Sequence, residues 1–111
     1  MQRKPFDDRA TAQAAVLLAA MSNSKRLHIL EVITQTEMSV RSLADTVGLS
    51  QSALSQHLGK LRGAKLVTTR RDAQTVYYSC SSPEVRLLLA TLYEVFGPTQ
   101  RQPPFETRIY S

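Results

Sequence analysis

Apolar positions recur at helical spacing through most of this chain and give way once to a strand-like pattern. Ala14 to Met21 is apolar on almost every side, so a helix running from about Arg9 to Met21 needs cover on more than one face. Packing between the core and a second subunit satisfies that need, and so does complete burial within a monomer. Ser22-Asn23-Ser24 offers N-capping side chains ahead of Leu27, Ile29, Leu30, Val32 and Ile33, which predicts a second helix ending near Gln35. Ser39 then caps a short third helix in which Val40, Leu43, Ala44 and Val47 fall at i, i+3, i+4 and i+7, and Gly48-Leu49 stops it. Ser50 caps a fourth helix that reaches about Arg62 and buries Leu54, Leu58 and Leu61. Two short helices joined by a tight glycine-containing turn have the form of a helix-turn-helix, whose second helix enters a major groove.

After Gly63 the chain turns β-branched and aromatic. Leu66 to Arg70 and Thr75 to Ser79, with Asp72-Ala73-Gln74 between them, predict a two-stranded β-hairpin with a basic tip. Ser82-Pro83-Glu84 then supplies a cap, a proline at the first helical position and an acid in the first turn. The helix that follows runs to about Phe96, with Val85, Leu88, Leu89, Leu92 and Phe96 as its apolar side. Gly97-Pro98 ends it. The predicted fold class is therefore α+β and mostly helical, a winged helix-turn-helix over residues 9–97. Residues 98–111, with Pro103 and Pro104, read as a flexible or loosely docked arm.

The chain has 111 residues and 42% hydrophobic content, room for one core and not for two domains. So small a domain is expected to gain burial by self-association. Met1 to Asp8 carries charges with no apolar run directly after them, and the longest such run, Ala14 to Met21, is eight residues. Neither a secretory signal nor a membrane span is therefore expected, and a single cysteine suits a reduced, cytoplasmic location. Cys80 is the only cysteine, which excludes an internal disulfide and a CxxC metal site. The net charge is +5, and between Arg41 and Asp72 six Lys or Arg stand against two acids. Four of the five excess charges thus sit around the helix-turn-helix and hairpin, as phosphate neutralisation requires.

Opposite the leucines of the fourth helix lie Ser52, Ser55, Gln56 and Gly59. Small residues let a helix backbone approach base pairs, and a Gln amide pairs most naturally with adenine. Gln51 and Gln56 are the candidates for direct readout, with Ser52 and Ser55 reaching bases or phosphates. An ordinary solvated polar face has the same composition. Lys60, Arg62 and Lys65 are candidate phosphate contacts, and Arg70 and Arg71 at the hairpin tip are candidates for the flanking backbone or minor groove. His57 reads as a partly buried histidine hydrogen-bonded to backbone, and Cys80 as a small buried apolar residue. Two histidines and one cysteine assemble neither a metal site nor an acid/base pair, so no enzyme, cofactor or metal is expected.

Ser50-Gln51-Ser52-Ala53-Leu54-Ser55-Gln56-His57-Leu58, then Leu61-Arg62, Leu66-Val67-Thr68-Thr69-Arg70-Arg71 and Val76-Tyr77-Tyr78, resembles the winged helix-turn-helix of ArsR/SmtB-type bacterial transcriptional regulators. The resemblance spans about residues 10–97 and includes Ala20-Met21 through Leu30. Within the family it is strongest to rhizobial repressors of nodulation genes, with HlyU-like regulators second. It implies a homodimer through the first and last helices and a pseudo-palindromic operator in double-stranded promoter DNA. It implies repression too, in the cytoplasm and on the nucleoid when bound. The family's cysteine pair on the third helix corresponds to Ser39 and Arg41 here, and the last helix carries no histidine and only Glu84 and Glu94 as acids. The positions of the redox-sensing cysteine pair correspond to Glu31 and Gly97. The resemblance therefore implies a regulator without those sensors. Two alternatives stay open: a redox- or ligand-responsive regulator using Cys80 or an unseen pocket, and a winged helix used for protein or RNA contacts.

Overall fold

A computed structural model describes residues 5–98. Its helices are α1 (Asp8–Met21), α2 (Ser24–Ile33), α3 (Val40–Val47), α4 (Gln51–Gly63) and α5 (Pro83–Phe96), and its strands are β1 (Met38–Ser39), β2 (Thr68–Asp72) and β3 (Thr75–Ser79). Each helix starts on a side chain that satisfies orphan amides. Asp7 accepts from the Ala10 amide, Asn23 from Lys25 and Arg26, Ser39 from Ser42, Ser50 from Ala53 and Ser82 from Val85. Gly48 ends α3 at φ 71°, a left-handed conformation that glycine adopts without cost to a β-carbon.

The core is the meeting of three helices. Ile29, Leu30 and Ile33 of α2, Leu43 of α3, and Leu54, Leu58 and Leu61 of α4 are all essentially sealed from solvent. Each is worth about 1.5–3 kcal/mol of burial, which makes this trio the foundation on which the outer face of α4 is held. Leu66, Val67, Tyr78, Cys80 and Val85 extend the core towards the sheet and α5.

Two strand expectations are corrected. The outgoing strand begins at Thr68, because Leu66 and Val67 turn into the core before pairing starts. The hairpin is also not alone, for β1 adds a third antiparallel strand in the order β1-β3-β2, with Met38 opposite Tyr78 and Ser39 opposite Tyr77. The apolar side expected of α5 is only partly used: Val85 is buried, Leu88 and Leu89 are half-buried, and Leu92 and Phe96 are exposed. The described residues thus cover the first turns of that helix more fully than its C-terminal half. Of the expected arm at 98–111, all but Pro98 lies outside the described residues.

Candidate nucleic-acid interface

The leucines anchor α4 by one side, so the 3.6-residue period turns Gln51, Ser52, Ser55 and Gln56 outward. All four are exposed, and none has a side-chain hydrogen bond among the described residues. Their donors and acceptors are free for an external partner. Gly59, on the same side, is half-buried. Lys60 and Lys65 are exposed near the C-terminal end of α4, also without an ion-pair partner among the described residues.

Arg62 is differently placed. It is exposed, yet its guanidinium donates to the Tyr78 hydroxyl, so it ties the end of α4 to β3. The two wing arginines separate as well. The hairpin turns at Ala73-Gln74, with Ala73 at φ 57°, so both lie in the strand and not at the tip. Arg71 pairs across the ladder with Val76 and Arg70 with Tyr77. Cross-strand partners share a face and successive residues alternate, so Arg71 lies on the face of Tyr78 and Arg70 on the other. Arg70 Nη2 is 2.7 Å from Glu37 Oε1, and its guanidinium lies 4.6 Å from the centre of the Tyr77 ring. The bond to Arg70 holds the Glu37 carboxyl below the ordinary carboxylate value and raises Arg70 in turn.

His57 is half-buried, but its neighbour is a side chain and not the expected backbone group. Arg26 Nη1 lies 3.4 Å from His57 Nδ1 while its Nε donates to the Ala20 carbonyl at 2.6 Å. Burial first, then the charges of Arg26 and Lys25, lower the His57 pKa. Arg26 thus links the end of α1 to the middle of α4.

Cys80 is buried and its amide donates to the Ile33 carbonyl at 3.0 Å. Burial pushes its thiol up from the ordinary value, the opposite of what a reactive thiolate needs. A groove of about 550 Å³ opens between α2 and α5, lined by Leu27, Leu89, Tyr93 and Phe96 with Glu31 and Arg86. Among the described residues, no three His, Cys, Asp or Glu come together as metal ligands, and no helix is long and apolar enough to cross a membrane.

Sequence reasoning missed Glu37, Tyr77, Tyr78 and Arg26 as parts of this surface. Glu37 and Arg26 sit outside the basic third of the chain, and their partners are 33 and 31 positions away. No local spacing marks such pairs.

Residues 23–69 match the family described as bacterial regulatory protein, arsR family. The chain is 54% identical over 98 residues to the nodulation protein NolR of Rhizobium meliloti, covering 87% of this chain and 80% of that protein. It is 47% identical over 89 residues to the transcriptional activator HlyU of Vibrio cholerae, covering 80% and 82%. The crystal structure of NolR from Sinorhizobium fredii superposes with a TM-score of 0.78 at 51% identity, over 87% of this chain and all of that one.

Proposed function

The chain belongs to the ArsR family of bacterial regulatory proteins and is a DNA-binding transcriptional regulator, and on that premise we propose that it is a homodimeric promoter repressor with a division of labour along α4 and the wing. Gln51, Ser52, Ser55 and Gln56 read base edges in the major groove. Lys60 and Lys65 hold phosphates, as do the donors of Arg62 that Tyr78 leaves free, and Arg71 carries the wing onto the flanking backbone. The observation that carries this reading is the outer face of α4, whose polar groups are exposed and unengaged above a sealed row of leucines.

Self-association through α1 and α5 supplies the second recognition helix. Two-fold symmetry then calls for a pseudo-palindromic operator with half-sites about one duplex turn, roughly 34 Å, apart. A regulator of this kind works in the cytoplasm on chromosomal promoters and performs no chemistry of its own. Nodulation and symbiosis genes are the first targets to test, on the strength of the name of one relative. Since another relative is named an activator, repression is itself open to test by transcription in vitro.

Selection of duplexes from a random library by the purified protein yields the operator and its symmetry. On that operator, Gln56→Ala is expected to cost about 1–3 kcal/mol per half-site and relax the preference at one position in each. Lys60→Ala is expected to weaken operator and random duplex alike and to flatten the salt dependence. Equal losses on both duplexes for Gln56→Ala would remove its readout role.

A further inference from the structure

The two wing arginines are chemically identical but differently engaged. Arg70 Nε lies 3.1 and 3.3 Å from the two Glu37 oxygens, and Nη2 lies 2.7 Å from Oε1. A guanidinium grips phosphate and carboxylate with the same forked edge. Glu37 fills one such edge of Arg70, that of Nε and Nη2, and so ties the guanidinium to the sheet with only Nη1 uncommitted to the carboxylate, while its carbon lies over the Tyr77 ring. Arg71 has no such partner among the described residues and lies on the opposite face, the one from which Tyr78 reaches Arg62 of α4.

Glu37 comes immediately before β1, and Ser39 of β1 is the N-cap of α3. The ion pair thus spans the sheet from β2, across β3, to the chain leading into the helix-turn-helix. An exposed ion pair of this kind adds little to global stability. What a two-toothed contact backed by a ring can do is restrict the direction in which a thin hairpin projects.

We propose that Arg70 is a positioning residue of the DNA-binding surface and not one of its DNA contacts: with Glu37 and Tyr77 it braces the wing, so that Arg71 is presented to the phosphate backbone. The proposal rests on the DNA-binding reading above and deepens it.

The test uses the full chain and the selected operator, with dissociation constants measured by fluorescence anisotropy across a salt series. The variants are Arg71→Gln, Arg70→Gln, Glu37→Gln and the double variant Glu37→Gln/Arg70→Gln, which keeps the wild-type net charge. Arg71→Gln is expected to lower the slope of log K against log salt by about two, one for each subunit of the bound dimer. The double variant is expected to bind roughly two- to fivefold more weakly with an unchanged slope. Glu37→Gln is expected to weaken binding although it removes a negative charge. Tighter binding by Glu37→Gln, together with a slope loss of about two in Arg70→Gln, would overturn the proposal and make Arg70 a phosphate contact with Glu37 as its competitor. Wild-type affinity in the double variant would overturn it as well.

Amide hydrogen exchange of β2 without DNA separates the brace from the reading beneath it. Exchange is expected to quicken in Glu37→Gln and Arg70→Gln and not in Arg71→Gln. Unchanged exchange in all three would defeat the brace whatever the affinities. Failure of the wild type to bind any duplex would instead defeat the DNA-contact assignments.

Discussion

Lys65 leaves α4 with φ 62°, and the Leu66 amide then reaches back to the Leu61 carbonyl at 3.0 Å. A β-carbon in that left-handed region costs about 1–2 kcal/mol, which is why glycine usually occupies it. A charged side chain retained at a position that favours glycine fits a role in phosphate contact. Lys65→Gly is therefore expected to raise stability to urea by up to about 1 kcal/mol while weakening binding to operator and random duplex alike. His57 makes a different demand, because Nδ1 can accept from Arg26 only while the ring is neutral. Its folded pKa is lowered from the ordinary 6.5, so between the folded and unfolded values the unfolded chain binds more protons. Its contribution is whole above the unfolded value, shrinks as pH falls from there towards the folded value, and is level below it. Urea midpoints measured from pH 8 to pH 5 are expected to fall on the acid side, and His57→Asn is expected to flatten that part of the profile.

Helices here begin with local caps but end with distant ones. None of α1, α2 and α3 has a basic residue in its last turn, and each receives a cation from elsewhere. Arg26 bonds the Ala20 carbonyl at 2.6 Å, Arg86 the Thr34 carbonyl at 2.8 Å and Lys25 the Val47 carbonyl at 2.9 Å. Positive charge at a helix C-terminus satisfies orphan carbonyls and opposes the dipole, so three bonds of this type also fix the angles between elements. Arg62 and Tyr78 do the same for α4 and the wing. Tyr78→Phe keeps the buried ring and loses only that link. It is expected to cost about 1 kcal/mol and to speed amide exchange in β2 and β3 by more than in the central turns of α4.

Among the described residues, large apolar side chains stand exposed on the two outer helices. Val16 and Leu18 of α1 are 57% and 54% exposed, and Leu87 and Tyr93 of α5 are 69% and 53% exposed. The self-association proposed through α1 and α5 would cover apolar surface of that extent. Leu18→Glu and Leu87→Glu are each expected to shift the species seen in sedimentation equilibrium from dimer to monomer. Affinity for a duplex with both half-sites should then fall towards that for one half-site. A monomeric wild type would remove the basis for a symmetric operator.

Much of this protein was legible along the chain. Ser39, Ser50 and Ser82 cap the helices that their spacing predicts, and Leu54, Leu58 and Leu61 fill the core as their period requires. The outward set on α4 follows from the same period. These features arise from contacts among residues three to seven positions apart, so composition and spacing encode them. The division between Arg70 and Arg71, the second task of Arg62 and the place of Glu37 had no such signature. They depend on sheet register and on a two-residue strand, β1, too short to leave a pattern. Charges that look equivalent in a row become one held by a carboxylate and one open to solvent only when the strands pair, because pairing decides which face each side chain meets.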